Sequence, residues 1–231
     1  MQYRHLFFDL DHTLWDFERN SAESLDEIYK DWSLHRLGIA SSNHFIESFL
    51  KINTELWQAF DMGRLEHAEI RKKRFQLVFE SLGVTCPDNH QEMGECYLHT
   101  LPTKRYLLDG ALEVLEHVRK MGYHTHVITN GFNDIQARKI RSAGIHPYFG
   151  HVITFENAEA KKPDPKIFNY ALALTQAKVE TSLMIGDNWV ADIQGAQQVG
   201  MDTVYYNPAG LEFDQKPTYD IQHLRELLDI L

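Results

Sequence analysis

The strongest constraint in this 231-residue chain is a rhythm of short apolar runs, each closed by a turn signal and followed by a helical pattern. The runs are Arg4–Leu10, Tyr123–Thr129, His151–Phe155, Leu183–Gly186 and Thr203–Tyr206. Helical periodicity fills residues 132–144, 165–176 and 189–200 between the last four of them. Strands alternating with helices predict βαβ units and a parallel sheet, hence an α/β class with a Rossmann-like three-layer core. Asp164-Pro165 supplies a cap and a proline at the first helical position, a start signal for the helix over 165–176.

The rhythm breaks between residues 15 and 105. That interval reads as helices near 16–32, 43–60, 66–82 and 89–101, with apolar residues such as Phe45, Phe49, Ile52, Leu56 and Phe60 at helical spacing. Gly38, Gly63, Gly83 and Pro87 punctuate them. The expected organisation is an α/β core made of residues 1–14 and 106–231, with an all-α helical bundle over 15–105 inserted after the first strand.

Composition narrows the partners. Acidic residues outnumber basic ones 33 to 23, a net charge of −10, which argues against a nucleic-acid polymer or an anionic membrane as partner. A small anionic substrate stays compatible, because a bound cation can reverse the local field. Cys86 and Cys96 are the only cysteines and lack C-x-x-C spacing, so two free thiols are expected. Met1–His5 runs directly into the first strand, and no apolar run reaches the ~18 residues that span a bilayer. A cytoplasmic protein, monomeric or weakly dimeric, is the expectation.

Chemistry-bearing residues recur where strands end, and parallel sheets gather such ends into one crevice. Asp9 and Asp11 close the first strand, either as turn caps or as a carboxylate nucleophile beside a carboxyl acid/base. Thr129-Asn130-Gly131 ends the second, either as a turn dipeptide or as donors to a tetrahedral anion. Lys162 precedes Pro163 and is therefore held extended; a solvated surface lysine is the other reading. Asp187 and Asp192 close the fourth strand and open a helix, as helix-dipole partners or as oxygen donors to a hard cation such as Mg²⁺. The order of the whole set, one cluster per strand end, favours an active site.

Asp9-Leu10-Asp11-His12-Thr13, Ile128-Thr129-Asn130-Gly131, Lys162-Pro163 and Gly186-Asp187-x₄-Asp192 resemble the four motifs of the haloacid dehalogenase superfamily, in its phosphatase branch with a helical cap after the first strand. The resemblance spans about residues 4 to 208. It implies that Asp9 is the nucleophile, and that Asp11 is the acid/base and a main-chain metal ligand. It also implies that Thr129 and Lys162 hold the phosphoryl group, with Asn130 adding a backbone donor. Asp9, Asp11 and Asp187 would hold Mg²⁺, and Asp192 would orient its waters or Lys162. His12 departs from the glycine that such phosphatases often carry.

An aspartyl-phosphate divides one hard displacement into two easier ones. Two adjacent carboxyls resist ionising together, so Asp11 is expected to carry the proton while Asp9 stays ionised. Asp11 speaks against dehalogenation, which needs no proton for a leaving alcohol. A sugar phosphomutase is the alternative, and a phospho-accepting signalling module without turnover a remote one. The substrate is expected to be a small phosphorylated metabolite. Trp57-x₅-Gly63 and Arg71–Phe75 are similar to capped pyrimidine 5′-nucleotidases, so a nucleoside 5′-monophosphate leads. Trp15, Phe17 and Arg64 are the candidate specificity residues, with hinge packing the other reading of Trp15 and Phe17 and a solvated loop the other reading of Arg64.

Overall fold

A computed structural model describes residues 2–231; Met1, where the N-terminal reading above begins, lies outside the described residues. The chain divides into two compact units, Met1–Phe17 with Arg105–Leu231, and Glu18–Lys104.

The first unit is built on a six-stranded sheet of β1 (His5–Phe8), β2 (His124–Thr129), β3 (His151–Thr154), β4 (Ser182–Gly186), β5 (Asp202–Tyr206) and β6 (Tyr219–Ile221). Every pairing is parallel and the order is β3-β2-β1-β4-β5-β6. Strands covered on both faces need apolar residues at successive positions, and Leu6, Phe7 and Phe8 of β1 and Leu183, Met184 and Ile185 of β4 are all fully buried. Phe7 pairs with His126 on one side and Met184 on the other. The order reverses at β1, whose neighbours β2 and β4 run outward in opposite senses. Ligands of open parallel sheets bind at such a switch point, outside the carboxyl ends of the strands.

The second unit contains most of α1 (Phe17–Asp31) and all of α2 (Ser42–Asp61), α3 (His67–Ser81) and α4 (His90–Thr100). Its interior is aromatic. Phe49 lies 5.4 Å from the Phe75 ring and 4.7 Å from Tyr97, and the Arg74 guanidinium sits 5.5 Å from the ring centroids of both Phe49 and Tyr97. Lys104, at the end of this unit, binds Glu27 at 2.5 Å and Glu23 at 3.1 Å on α1.

The helices of the first unit are α5 (Ala111–Met121), α6 (Asn133–Ser142), α7 (Phe155–Ala158), α8 (Pro165–Thr175), α9 (Gly195–Gln198) and α10 (Leu227–Ile230). The start of α8 follows the expected chemistry, with Asp164 accepting from the Lys166 N–H at 2.8 Å. The expected helix over 189–200 differs: Trp189–Gln194 is a π-helical stretch, and only then does α9 begin. Asn188 Oδ1 caps it by accepting from the N–H groups of Val190 and Ala191. Helix α5 and strand β6 fall outside the elements read from the sequence. Among the described residues no helix is long and apolar enough to cross a membrane.

Candidate active site

Asp9 extends β1 by one residue, its N–H bonding the Ile185 carbonyl of β4 at 2.9 Å. Asp187 follows β4 directly. The two carboxylates therefore flank the switch point, as the two strands that flank it dictate. Asp192 reaches the same place from the π-helical turn, and its approach depends on Gly186: a Cβ there would lie 2.2 Å from Asp192 Oδ2. Ligand atoms of Asp9, Asp187 and Asp192 all fall within 4.8 Å of one another.

Lys162 completes this cluster. Only 2% exposed, it donates from Nζ to Asp9 Oδ1 at 2.5 Å, Asp192 Oδ1 at 2.6 Å and the Ile128 carbonyl at 2.9 Å. The lysine is no surface group. Asn130 fixes the backbone that carries it, Oδ1 accepting from the Lys162 N–H at 2.8 Å and Nδ2 donating to its carbonyl at 3.0 Å. The Asn130 side chain thus serves the lysine.

Thr129, at the end of β2 and 2% exposed, receives two hydrogen bonds at Oγ1, from Gly131 N–H at 3.1 Å and Gln136 Nε2 at 2.7 Å. With both lone pairs engaged, its own O–H is left to donate. Gln136 also donates to Asp11 Oδ2 at 2.8 Å, and Lys139 Nζ binds Asp11 Oδ1 at 2.6 Å. Both oxygens of the Asp11 carboxylate are thereby held by groups of α6. Lys139 in turn lies 4.4 Å from the Trp15 ring centroid and 5.6 Å from that of Phe17.

Those rings revise the reading of Trp15. Its side chain is fully buried, with the Lys139 ammonium over its ring. Phe17 is half-buried, 5.0 Å from the His12 ring. His12 has φ of 63°, the left-handed region that glycine enters without steric cost. Arg64 is exposed within the helical unit. Sequence reasoning overlooked Gln136 and Lys139, and also Thr13, whose hydroxyl donates to Asp187 Oδ1 at 2.9 Å.

Protonation differs from the expectation that Asp11 holds the proton. Burial pushes Asp9 up to about 7 against the pull of Lys162, with Asp192 and Asp11 adding repulsion. Burial and the neighbouring Asp9 push Asp187 up to about 6. Asp192 is raised as well, first by burial. Burial acts on Asp11 too, but the Lys139 ammonium and the Gln136 amide overrule it and hold this carboxyl below its usual range. Lys162 stays protonated because Asp192 and Asp9 outweigh its desolvation.

The donor set fits a divalent cation. Three carboxylates and one ammonium, fully ionised, leave two negative charges in a buried volume, which a hard dication with oxygen ligands would neutralise. Both Asp192 oxygens are engaged, by Lys162 and by the Asn188 N–H at 3.0 Å, so Asp9 and Asp187 are the freer ligands.

The profile of the haloacid dehalogenase-like hydrolases matches residues 3–200. Pyrimidine 5′-nucleotidase PynA of Streptococcus pneumoniae is 30% identical over 234 residues, covering 100% of this chain and 96% of its own length. A glyceraldehyde 3-phosphate phosphatase of Pyrococcus furiosus is 29% identical over 235 residues, covering 98% of this chain and 92% of its own. The solved structure of the HAD-hydrolase YfnB of Bacillus subtilis, bound to magnesium, superposes with a TM-score of 0.87 at 30% identity and covers 100% of this chain and 99% of that one. A parallel sheet with carboxylates at the tips of β1 and β4, a buried lysine between them, and a profile match across most of its length make this chain a member of the haloacid dehalogenase-like hydrolases.

Proposed function

We propose that this hydrolase cleaves phosphate monoesters with Mg²⁺ bound, through an aspartyl-phosphate on Asp9. The observation that carries the reading is the buried convergence of Asp9, Asp187, Asp192 and Lys162 at the switch point, with an acid/base candidate, Asp11, two residues from the nucleophile. In this reading Asp9 and Asp187 hold the cation, aided by the Asp11 main chain, and Asp192 fixes Lys162. The cation would supply positive charge that lets ionised Asp9 and a phosphate dianion approach each other. At an effective dielectric of 20, like charges ~4 Å apart repel by about 4 kcal/mol per pair.

An Asp9 oxygen attacks phosphorus, the P–O bond to the alcohol breaks, and Asp11 gives the departing oxygen a proton. Asp11, then ionised, takes a proton from water as the water oxygen attacks phosphorus, releasing inorganic phosphate and Asp9. Arriving phosphate charge opposes the ionised form of Asp11, so substrate itself favours loading that proton against the pull of Lys139. Lys162 neutralises phosphoryl oxygens, and the Thr129 O–H, with the N–H groups of Leu10, Asp11 and Asn130, supplies donors aimed before reaction begins.

A nucleoside 5′-monophosphate is the proposed substrate, supported by the streptococcal relative's name and by the helical unit, which we read as the cap that selects the substrate. A sugar phosphate is the second reading, favoured by the Pyrococcus relative. Phosphate release across nucleotides, sugar phosphates and phosphoglycolate, with Mg²⁺ and with EDTA, tests both. Asp9→Asn is expected to lose more than 99% of turnover; retention of a tenth of wild-type kcat would refute the nucleophile.

A further inference from the structure

The α6 face that meets the site carries groups that the reaction above does not use. We infer that Gln136 and Lys139 are positioning residues that jointly hold the Asp11 carboxylate in one rotamer and fix the direction of the Thr129 proton, which together prepare the site for esters with poor leaving groups. The inference rests on the proposed function, because it gives meaning to Asp11 as the proton donor.

Geometry carries it. Both Asp11 oxygens are held, Oδ1 by Lys139 Nζ at 2.6 Å and Oδ2 by Gln136 Nε2 at 2.8 Å. A carboxylate gripped at both oxygens cannot rotate freely about its side-chain bonds, so its distance from the leaving oxygen is set by α6. The same Gln136 amide donates to Thr129 Oγ1 at 2.7 Å, tying the acid/base and the phosphate-binding hydroxyl to one nitrogen. That donation, with the Gly131 N–H, obliges the threonine to be a donor outward. Lys139 and Gln136 are 3% and 0% exposed, which excludes solvated surface groups. Their path is built by the sequence around them. A Cβ on Gly131 would lie 2.4 Å from Gln136 Nε2, so only glycine lets the amide cross there. Trp15 and Phe17 line the ammonium with π-faces, holding its charge where no water shell is available. Thr129-x-Gly131-x₄-Gln136-x₂-Lys139 therefore acts as one unit.

The test compares kcat/KM for an alkyl ester, uridine 5′-monophosphate or whichever the wild type turns over best, with p-nitrophenyl phosphate. This parameter reports through departure of the alcohol, and p-nitrophenolate leaves without a proton. Lys139→Met is expected to lower kcat/KM at least 30-fold on the alkyl ester and less than 5-fold on p-nitrophenyl phosphate. Gln136→Leu is expected to show the same imbalance and, in addition, at least 3-fold weaker inhibition by inorganic phosphate. Equal losses on both esters, or none, overturn the inference while leaving the phosphatase reading intact. If circular dichroism shows Lys139→Met unfolded, the Gln136→Leu ratio alone decides. A wild type that releases phosphate from no ester overturns the parent reading and this inference with it.

Discussion

Replacing Lys162 with methionine keeps the length of the stem and deletes its charge, so it isolates what the ammonium does in the fold. Lys162 Nζ binds two carboxylates, Asp9 at 2.5 Å and Asp192 at 2.6 Å, in a site where Asp192 is fully buried and Asp9 is 8% exposed. Hydrogen bonds to charged groups contribute roughly 1.5–3 kcal/mol each. Removing one partner of a buried ion pair costs about 3–5 kcal/mol. The two estimates overlap near 4 kcal/mol, the loss expected at pH 9 in EDTA. With a urea dependence of ~2–3 kcal/mol per molar, the midpoint should fall by about 1.5 M. The loss should depend on pH in a stated sense. Asp9 is already raised to about 7 with Lys162 opposing the rise, so without the lysine it rises further. A carboxyl raised in the folded state takes its proton before the unfolded chain does, so its penalty is full above the folded pKa and is relieved as pH falls through it. At pH 6 Asp9 is protonated in both proteins, and the deficit should shrink to about 2 kcal/mol, the value of the lost bonds. Urea titrations followed by tryptophan fluorescence at both pH values measure this. A midpoint shift under 0.3 M at pH 9, or a deficit unchanged at pH 6, would refute the charge argument.

Other perturbations probe separate parts of the same unit. His126 is 5% exposed, its Nε2 lies 3.3 Å from His5 Nδ1, and burial, then the His5 charge, holds it down to about 3. A base lowered in the folded state adds nothing against stability above the unfolded value near 6.5, and stability is lost as pH falls from there toward 3. Linkage limits the loss at pH 5 to ~2 kcal/mol, and solvent reaching the exposed neighbours His124 and His151 should screen roughly half. Urea midpoints of wild type and His126→Leu at pH 7.5 and 5 should differ in slope by about that remainder; parallel losses would remove His126 as the cause. Gly186→Ala places a Cβ 2.2 Å from Asp192 Oδ2, so the carboxylate must move off Lys162, at a cost of ~1–3 kcal/mol. An unchanged melting temperature would mean that β4 shifts instead.

Residues at the ends of strands are legible in the sequence itself. Asp9, Thr129 and Asp187 each lie at or next to the end of an apolar run, and a parallel sheet sends every such run to the same edge; Lys162 comes after β3 and α7, brought in by its loop. Strand β6 was not legible because Tyr219–Ile221 is short, and it pairs only with β5 at the sheet edge, where tertiary contact decides. Helix α5 carries its buried Val114, Leu115 and Val118 at helical spacing, a signal that the sequence does hold. The apolar spacing over 189–200 reads as an ordinary helix and does not distinguish the π-helical turn at Trp189–Gln194, where the Asn188 N–H donates to Asp192 Oδ2.

Gln136 and Lys139 were illegible for a different reason. On α6 they stand three residues apart on the inner face, at positions where a polar residue ordinarily marks the solvent side of an amphipathic helix. Read as a pattern, they make α6 look partly exposed; in the fold they are among its most buried residues. The contradiction resolves only through Asp11, more than a hundred residues earlier, whose carboxylate supplies the charge that makes burying an ammonium tolerable. The reverse dependence also holds, because Asp11 without Lys139 would add a further uncompensated carboxylate near Asp9, and repulsion between them would favour protonating one. A helix face that breaks its hydrophobic pattern with a glutamine and a lysine, just after a Thr-x-Gly turn, is therefore a signal in its own right. It marks the place where the sheet's edge needs a counter-charge that the strand ends alone cannot provide.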